Sequence, residues 1–218
     1  MIREERIPVK ICGMRDSDNI RMAASFEPDY MGFIFYPESP RYVGEGFRLP
    51  EELSPSIKRV GVFVNETTEK ILDAARRVAL DCIQLHGNES VEQCEVLKGE
   101  GLTLIKVFSV AYGFDFNVTK LYIPVSDYFL FDTKGRYHGG NATTFDWEIL
   151  KRYDQEIPFF LSGGISPENL DGVASIKGLN LHALDVNSGV EEQPGVKSSE
   201  KLKTLFDRLP SKNSLVDN

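Results

Sequence analysis

Cysteine is scarce in this chain of 218 residues: only Cys12, Cys82 and Cys94 occur, and no two form a Cys-x-x-Cys pair. An odd count without that spacing argues against a disulfide framework and a cysteine-ligated zinc site, and fits a reducing cytosol. Positive charge is in deficit as well. With 25 Lys and Arg against 33 Asp and Glu, a formal net charge of -8, the chain lacks the basic footprint that nucleic acid phosphates demand, and no run of like charge forms a binding tail. Long apolar runs are missing too. None is long enough to cross a bilayer, and the charged opening Met1-Ile2-Arg3-Glu4-Glu5-Arg6 has no signal-peptide core. No linker or shift of composition divides the chain. The expectation is one soluble, cytoplasmic domain over residues 1–210, with a disordered tail at 211–218 beyond Pro210.

Against these absences stands a regular rhythm of short apolar runs, at 9–12, 30–35, 59–64, 81–85, 102–108, 128–131, 157–161 and 182–186. They are continuous rather than alternating, as strands buried on both faces of a parallel sheet should be. Helix signatures separate them. Asp16-Ser17-Asp18 precedes 19–26, a segment at 67–78 follows Asn65, and 90–98 follows Gly87. Ser166-Pro167-Glu168 opens another, and 145–153 and 199–209 complete the clearer ones. The stretches 50–57 and 114–123 are poorer helices. Eight strand-helix units predict an α/β fold of the (βα)8 TIM-barrel type, with a doubly wound open sheet as the alternative.

A barrel of this type carries its active site at the C-terminal ends of the strands. On that rim the pattern places Cys12 after the first strand, Arg41 after the second and Asp132 at the end of the sixth. Ser162-Gly163-Gly164 follows the seventh, and Asp185 to Glu191 leads out of the eighth. Lys10 shares a strand face with Cys12. A nearby cation lowers a thiol from its free value of about 8.5 and makes it a base or nucleophile, whereas an apolar setting makes it one more core residue. Both readings of Lys10, tuning Cys12 or pairing with a carboxylate, stand at this point. Cys82, Cys94 and Trp147 read most simply as packing residues.

Ordered motifs add a resemblance. Lys10-Ile11-Cys12-Gly13 comes first, then Gly32-Phe33-Ile34-Phe35-Tyr36-Pro37 leading to Ser39 and Arg41, then Gly61-Val62-Phe63-Val64-Asn65 and Gln84-Leu85-His86-Gly87. After these come Phe131-Asp132-Thr133 with Gly139-Gly140 and Thr144-Phe145-Asp146-Trp147, then Leu161-Ser162-Gly163-Gly164, and Asp185 to Glu191 with Pro194-Gly195. In this order they resemble the phosphoribosylanthranilate isomerases. The resemblance implies a cofactor-free, metal-free Amadori rearrangement of a small phosphorylated substrate, with no obligate protein partner. It implies Asp132 as general acid at the ribose ring oxygen, Cys12 as base at sugar C2, and Arg41 as clamp for the anthranilate carboxylate. Gly163, Gly164, Ser188 and Gly189 would hold the phosphate, and Asp185 either contacts a substrate hydroxyl or orders its loop. An acid active near neutral pH needs a carboxyl raised by burial, for which Phe129 and Phe131 flank Asp132. Gln84 and His86 match the family and fit a structural hydrogen-bonding role equally. Two departures, Asn141-Ala142-Thr143 after the glycine pair and Ser198 where an acidic residue is common, bear on the sixth loop and on phosphate or product binding. A different sugar-phosphate barrel, or a phospho-ligand sensor without catalysis, are the competing functions.

Overall fold

The computed structural model describes residues 6–133 and 147–209. The expectations for 139–146 and for the tail at 211–218 lie outside the described residues. Eight parallel strands close into a barrel in sequence order: β1 (Val9–Ile11), β2 (Tyr30–Ile34), β3 (Lys58–Phe63), β4 (Cys82–Leu85), β5 (Thr103–Val110), β6 (Tyr128–Thr133), β7 (Phe159–Ser162) and β8 (Leu181–Val186). Closure is made by β1 against β8, in the register Val9↔Leu184, Lys10↔Asp185 and Ile11↔Val186. That pairing leaves no edge and excludes the open sheet.

Alternation along each strand sorts side chains between two cores. Val60, Cys82, Ile105, Val107, Leu130, Phe160 and Ala183 fill the barrel interior, with Tyr30 and Tyr128 against them. Near the N-terminal strand ends the Tyr30 hydroxyl meets His182 Nε2 at 2.7 Å, and the Tyr128 and His182 rings lie 4.3 Å apart. That aromatic cluster fills the barrel at the end opposite the rim where the strands finish. The larger cluster outside the barrel wall includes Cys94, Phe129, Phe131 and Trp147. Trp147 packs so tightly on Gly172 that a Cβ there would lie 2.9 Å from its ring.

Each α-helix starts at a side chain that satisfies an orphan N–H of the first turn. Asp16 caps α1 (Ser17–Ala24), Thr67 caps α2 (Thr68–Val78), Ser90 caps α3 (Val91–Gly99) and Ser198 caps α4 (Ser199–Asp207). Ser198 therefore does at its position what an aspartate could do, accepting from Lys201 N. The remaining connections are tighter or irregular. Phe116–Val125, Trp147–Arg152 and Pro167–Ile176 form 3₁₀ turns rather than α-helices, and 50–57 carries turns without a helix. Weak helix formers explain this: Asn117, Val118, Thr119 and Pro124 crowd the first segment, and Pro167, Asn169 and Gly172 the last.

Candidate active site

A cavity of about 170 Å³ opens at the C-terminal rim, and Cys12, Asp132, Gly163, Gly164, Asp185, Ser188 and Gly189 all line it, together with Gln84, His86 and Asn187. Residues from β1, β4, β6, β7 and β8 thus meet around one space. Arg41 is not part of its wall.

Cys12 is held by its own N–H, which donates to Val186 O at 2.9 Å, and the residue is only 4% exposed. Gly32 on the neighbouring strand makes room for it, because a Cβ at that position would lie 2.7 Å from the sulfur. Lys10 points into the same barrel interior, fully buried, and its ammonium donates to Asp185 Oδ1 at 2.8 Å. Both readings of Lys10 therefore hold at once: it pairs with a carboxylate and it acts on the thiol. The outcome for the thiol differs from the expectation. Burial pushes Cys12 up, the Asp185 charge adds to this, and Lys10 with Lys197 pull the other way without overcoming it. The thiol stays above its ordinary value chiefly because burial disfavours the thiolate, and the cation beside it is shared with a carboxylate that adds to the rise.

Asp132 is the penultimate residue of β6, with its side chain 23% exposed. Phe129 and Phe131 do not desolvate it. They belong to the outer cluster, whereas Leu130, and by alternation Asp132, faces the interior. Its neighbour is His86, whose Nε2 lies 3.8 Å from Asp132 Oδ2. The Gln84 amide nitrogen meets His86 Nδ1 at 3.1 Å, and an amide nitrogen only donates, so the neutral ring carries its hydrogen on Nε2, towards Asp132. Gln84 Oε1 is buried with no partner among the described residues. A buried acceptor on a cavity wall without a donor is a place for a ligand to supply one.

The opposite side of the cavity is backbone. Gly163 and Gly164 have φ of 101° and 71°, a left-handed turn after β7 that glycine adopts without strain. Gly189 is a close-approach glycine: a Cβ there would lie 2.1 Å from Ile165 O, so loops seven and eight pack main chain to main chain. Gly163, Gly164, Ser188 and Gly189 all line this side. Backbone amides at glycine-rich turns of this kind suit an anion.

The sequence profile of the family described as PRAI, N-(5'phosphoribosyl)anthranilate (PRA) isomerase, matches residues 9–208. The chain belongs to that family. The N-(5'-phosphoribosyl)anthranilate isomerase of Parabacteroides distasonis is 44% identical over 209 residues, which cover 92% of each chain. The solved phosphoribosyl anthranilate isomerase of Thermotoga maritima superposes with a TM-score of 0.79 at 37% identity, covering 92% of this chain and 97% of that one. A phosphoribosyl anthranilate isomerase structure in complex with reduced 1-(o-carboxyphenylamino)-1-deoxyribulose 5-phosphate gives 0.77 at 35% identity, with the same coverage. As a member of this family, the protein is an isomerase of tryptophan biosynthesis. Among the described residues no helix is long and apolar enough to cross a membrane.

In this isomerase Arg41 sits just outside the cavity, above Gly13, the residue after Cys12. Its guanidinium is already engaged: Nε donates to Glu191 Oε1 at 2.9 Å and Nη2 to Oε2 at 2.6 Å. Lys197 reaches the same carboxylate at 2.6 Å and Asn187 Oδ1 at 2.7 Å. Burial opposes the charge of Glu191, but the hydrogen bonds from Arg41 and Lys197, the Lys197 charge and the Gly195 N–H outweigh it and hold its carboxyl down at about 2. Sequence reasoning placed Glu191 in a motif and gave it no role, and did not single out Lys197. A second buried pair, Lys106 with Glu89 at 3.0 Å, was also missed. Its signal was a lysine inside the apolar run Leu104-Ile105-Lys106-Val107-Phe108.

Proposed function

We propose that this isomerase converts N-(5-phosphoribosyl)anthranilate into 1-(2-carboxyphenylamino)-1-deoxyribulose 5-phosphate in the cytoplasm, with Asp132 as general acid and Cys12 as base. The observation that carries the reading is the placement of one carboxyl and one thiol on the walls of a single cavity that the glycine-rich turns of loops seven and eight also line. A phosphate on the backbone amides of those turns would fix one end of the sugar. Its ring oxygen and C2 would then lie between Asp132 and Cys12.

In this scheme Asp132 gives its proton to the ribose ring oxygen as the C1–O bond breaks, and the anthranilate nitrogen lone pair forms the Schiff base. The iminium acidifies C2, whose proton passes to the Cys12 thiolate, and the resulting enolamine tautomerises to the aminoketose. The net change is proton movement alone. His86 donates towards Asp132 once that carboxyl has lost its proton, and Gln84 fixes the ring tautomer that allows it. Lys10 opposes the burial cost of the thiolate. Because burial leaves the thiol high, the thiolate is a minority form in the free enzyme near pH 7. Asp185 holds Lys10 through one oxygen and lines the cavity, within reach of a sugar hydroxyl. Arg41 clamps the anthranilate carboxylate, a role that suits a planar fork of donors.

The test is the loss of anthranilate fluorescence from freshly generated phosphoribosylanthranilate, with and without a chelator. Catalytic loss of fluorescence in both is expected. Saturable binding without turnover would reduce the protein to a phospho-ligand sensor, and loss confined to the chelator-free sample would overturn the metal-free scheme.

A further inference from the structure

We infer that Glu191 is a positioning residue for recognition of the substrate carboxylate, acting through Arg41; the inference rests on the proposed clamp role of Arg41 and deepens it. A guanidinium has two edges that can each take a carboxylate: the side edge of Nε and one Nη, and the end edge of the two Nη groups. Glu191 occupies the side edge of Arg41 with both oxygens. The end edge is thereby left for a second, incoming carboxylate, and the side chain is held in one orientation before that carboxylate arrives.

Glu191 can do this because it is itself fixed. Its side chain is 5% exposed, Lys197 and the Gly195 N–H both donate to Oε1, and Lys201 Nζ donates to its backbone carbonyl. It opens the hairpin of β9 (Glu191–Gln193) and β10 (Val196–Lys197), and Asn19 of α1 pins that hairpin by bonding both the N–H and the carbonyl of Lys197. On the other side, a Cβ on Gly13 would lie 2.7 Å from both Arg41 Cδ and Asn187 Oδ1, so Arg41 is packed directly over the turn that follows Cys12. The charges also fit an anion. Arg41, Lys197 and Glu191 sum to one net positive charge, whereas a lone arginine here would be free to swing into solvent. Preorganisation of this kind raises affinity by removing the ordering cost from the binding step.

The test compares two ligands, reduced 1-(o-carboxyphenylamino)-1-deoxyribulose 5-phosphate and the same compound with phenyl in place of carboxyphenyl, titrated calorimetrically. Glu191→Gln should weaken the carboxylated ligand about tenfold or more and leave the carboxyl-free ligand within twofold, because an amide presents an N–H to Arg41 or Lys197 where each needs an acceptor. In turnover it should raise KM with kcat held within a few-fold. In an Arg41→Ala background the same change should cost nothing further. Glu191→Asp, which keeps the charge but shortens the reach, should fall between and serves if Glu191→Gln does not fold by circular dichroism. Equal weakening of both ligands would make Glu191 a merely structural part of loop eight and overturn the inference. So would unchanged affinity in Glu191→Gln while Arg41→Ala discriminates the ligands. If Arg41→Ala itself fails to discriminate, the clamp role is wrong and the inference falls with it.

Discussion

Two lysines are buried in strands of this barrel, and they teach opposite lessons. Lys10 of β1 faces the interior, and Lys106 of β5 sits on the outer side of the wall, since its neighbours Ile105 and Val107 fill the interior. Each is paired with a carboxylate, Lys10 with Asp185 at 2.8 Å and Lys106 with Glu89 at 3.0 Å. The outer pair is saturated. Glu89 accepts from the N–H groups of Asn65 and Gly87, while Lys106 also donates to the carbonyls of Leu85 and Gly87 and lies over the Phe108 and Tyr122 rings. It ties loops three and four to β5. The inner pair is open: Lys10 takes one oxygen of Asp185, Asp185 lines the cavity, and the remaining influence of the ammonium falls on Cys12. Saturation marks a structural pair and open valence marks a working one.

That contrast orders the expected effects of substitution. Inside the wall, Cys12→Ala and Asp132→Asn should each lower kcat by about 10²–10⁴-fold in single-turnover fluorescence assays, while product affinity stays within a small factor and the melting curve barely moves. Retained turnover in either would remove that residue from the proton path.

Outside the wall, Lys106→Met strands the Glu89 carboxylate among backbone groups and apolar side chains. Breaking one partner of a buried pair costs about 3–5 kcal/mol. Denaturant unfolding should show that loss, with kcat per folded molecule kept within a few-fold. A large fall in kcat with unchanged stability would erase the contrast.

The smallest expected effect sharpens the anion side of the cavity. A Cβ at Gly164 would meet nothing within 4 Å, so Gly164→Val creates no clash with the protein. It does place a β-branched residue at φ 71°, which costs roughly 1–2 kcal/mol, and puts methyl groups where the phosphate is proposed to bind. Product affinity should fall about tenfold in calorimetry, with the circular dichroism spectrum unchanged. Undiminished affinity would move the phosphate elsewhere on the rim.

Much of this was legible in the sequence, and for a physical reason. Strands buried on both faces leave continuous apolar runs, so the eight strands of the barrel stand out, and the rim rule then puts Cys12, Asp132 and the glycines of loop seven on one side. Helix type was less legible. The caps at Asp16, Thr67, Ser90 and Ser198 are local signals, whereas the choice of 3₁₀ over α at 116–125 and 167–176 rests on the summed effect of several weak helix formers, which no single residue announces. Pairings were not legible at all. Arg41 and Glu191 are 150 residues apart, and Lys10 and Asp185 are 175 apart; only barrel closure brings them together. The state of the Cys12 thiol depended on its burial inside the closed barrel first and on that hidden partner second, which is why a cation two residues away did not bring it down.

The most direct test of the contrast is the pH dependence of Cys12 alkylation by iodoacetamide, followed by mass spectrometry, for Asp185→Asn beside Glu89→Gln. The midpoint reports the free-enzyme thiol, which burial holds up and the Asp185 charge raises further. Removing that charge should move the midpoint to lower pH, because Lys10 is then left to pair with the thiolate. Glu89→Gln should leave the midpoint in place and lower stability instead. A midpoint that stays fixed in Asp185→Asn, or moves equally in both variants, would contradict the claim that the open inner pair acts on Cys12 and the saturated outer pair only holds the wall.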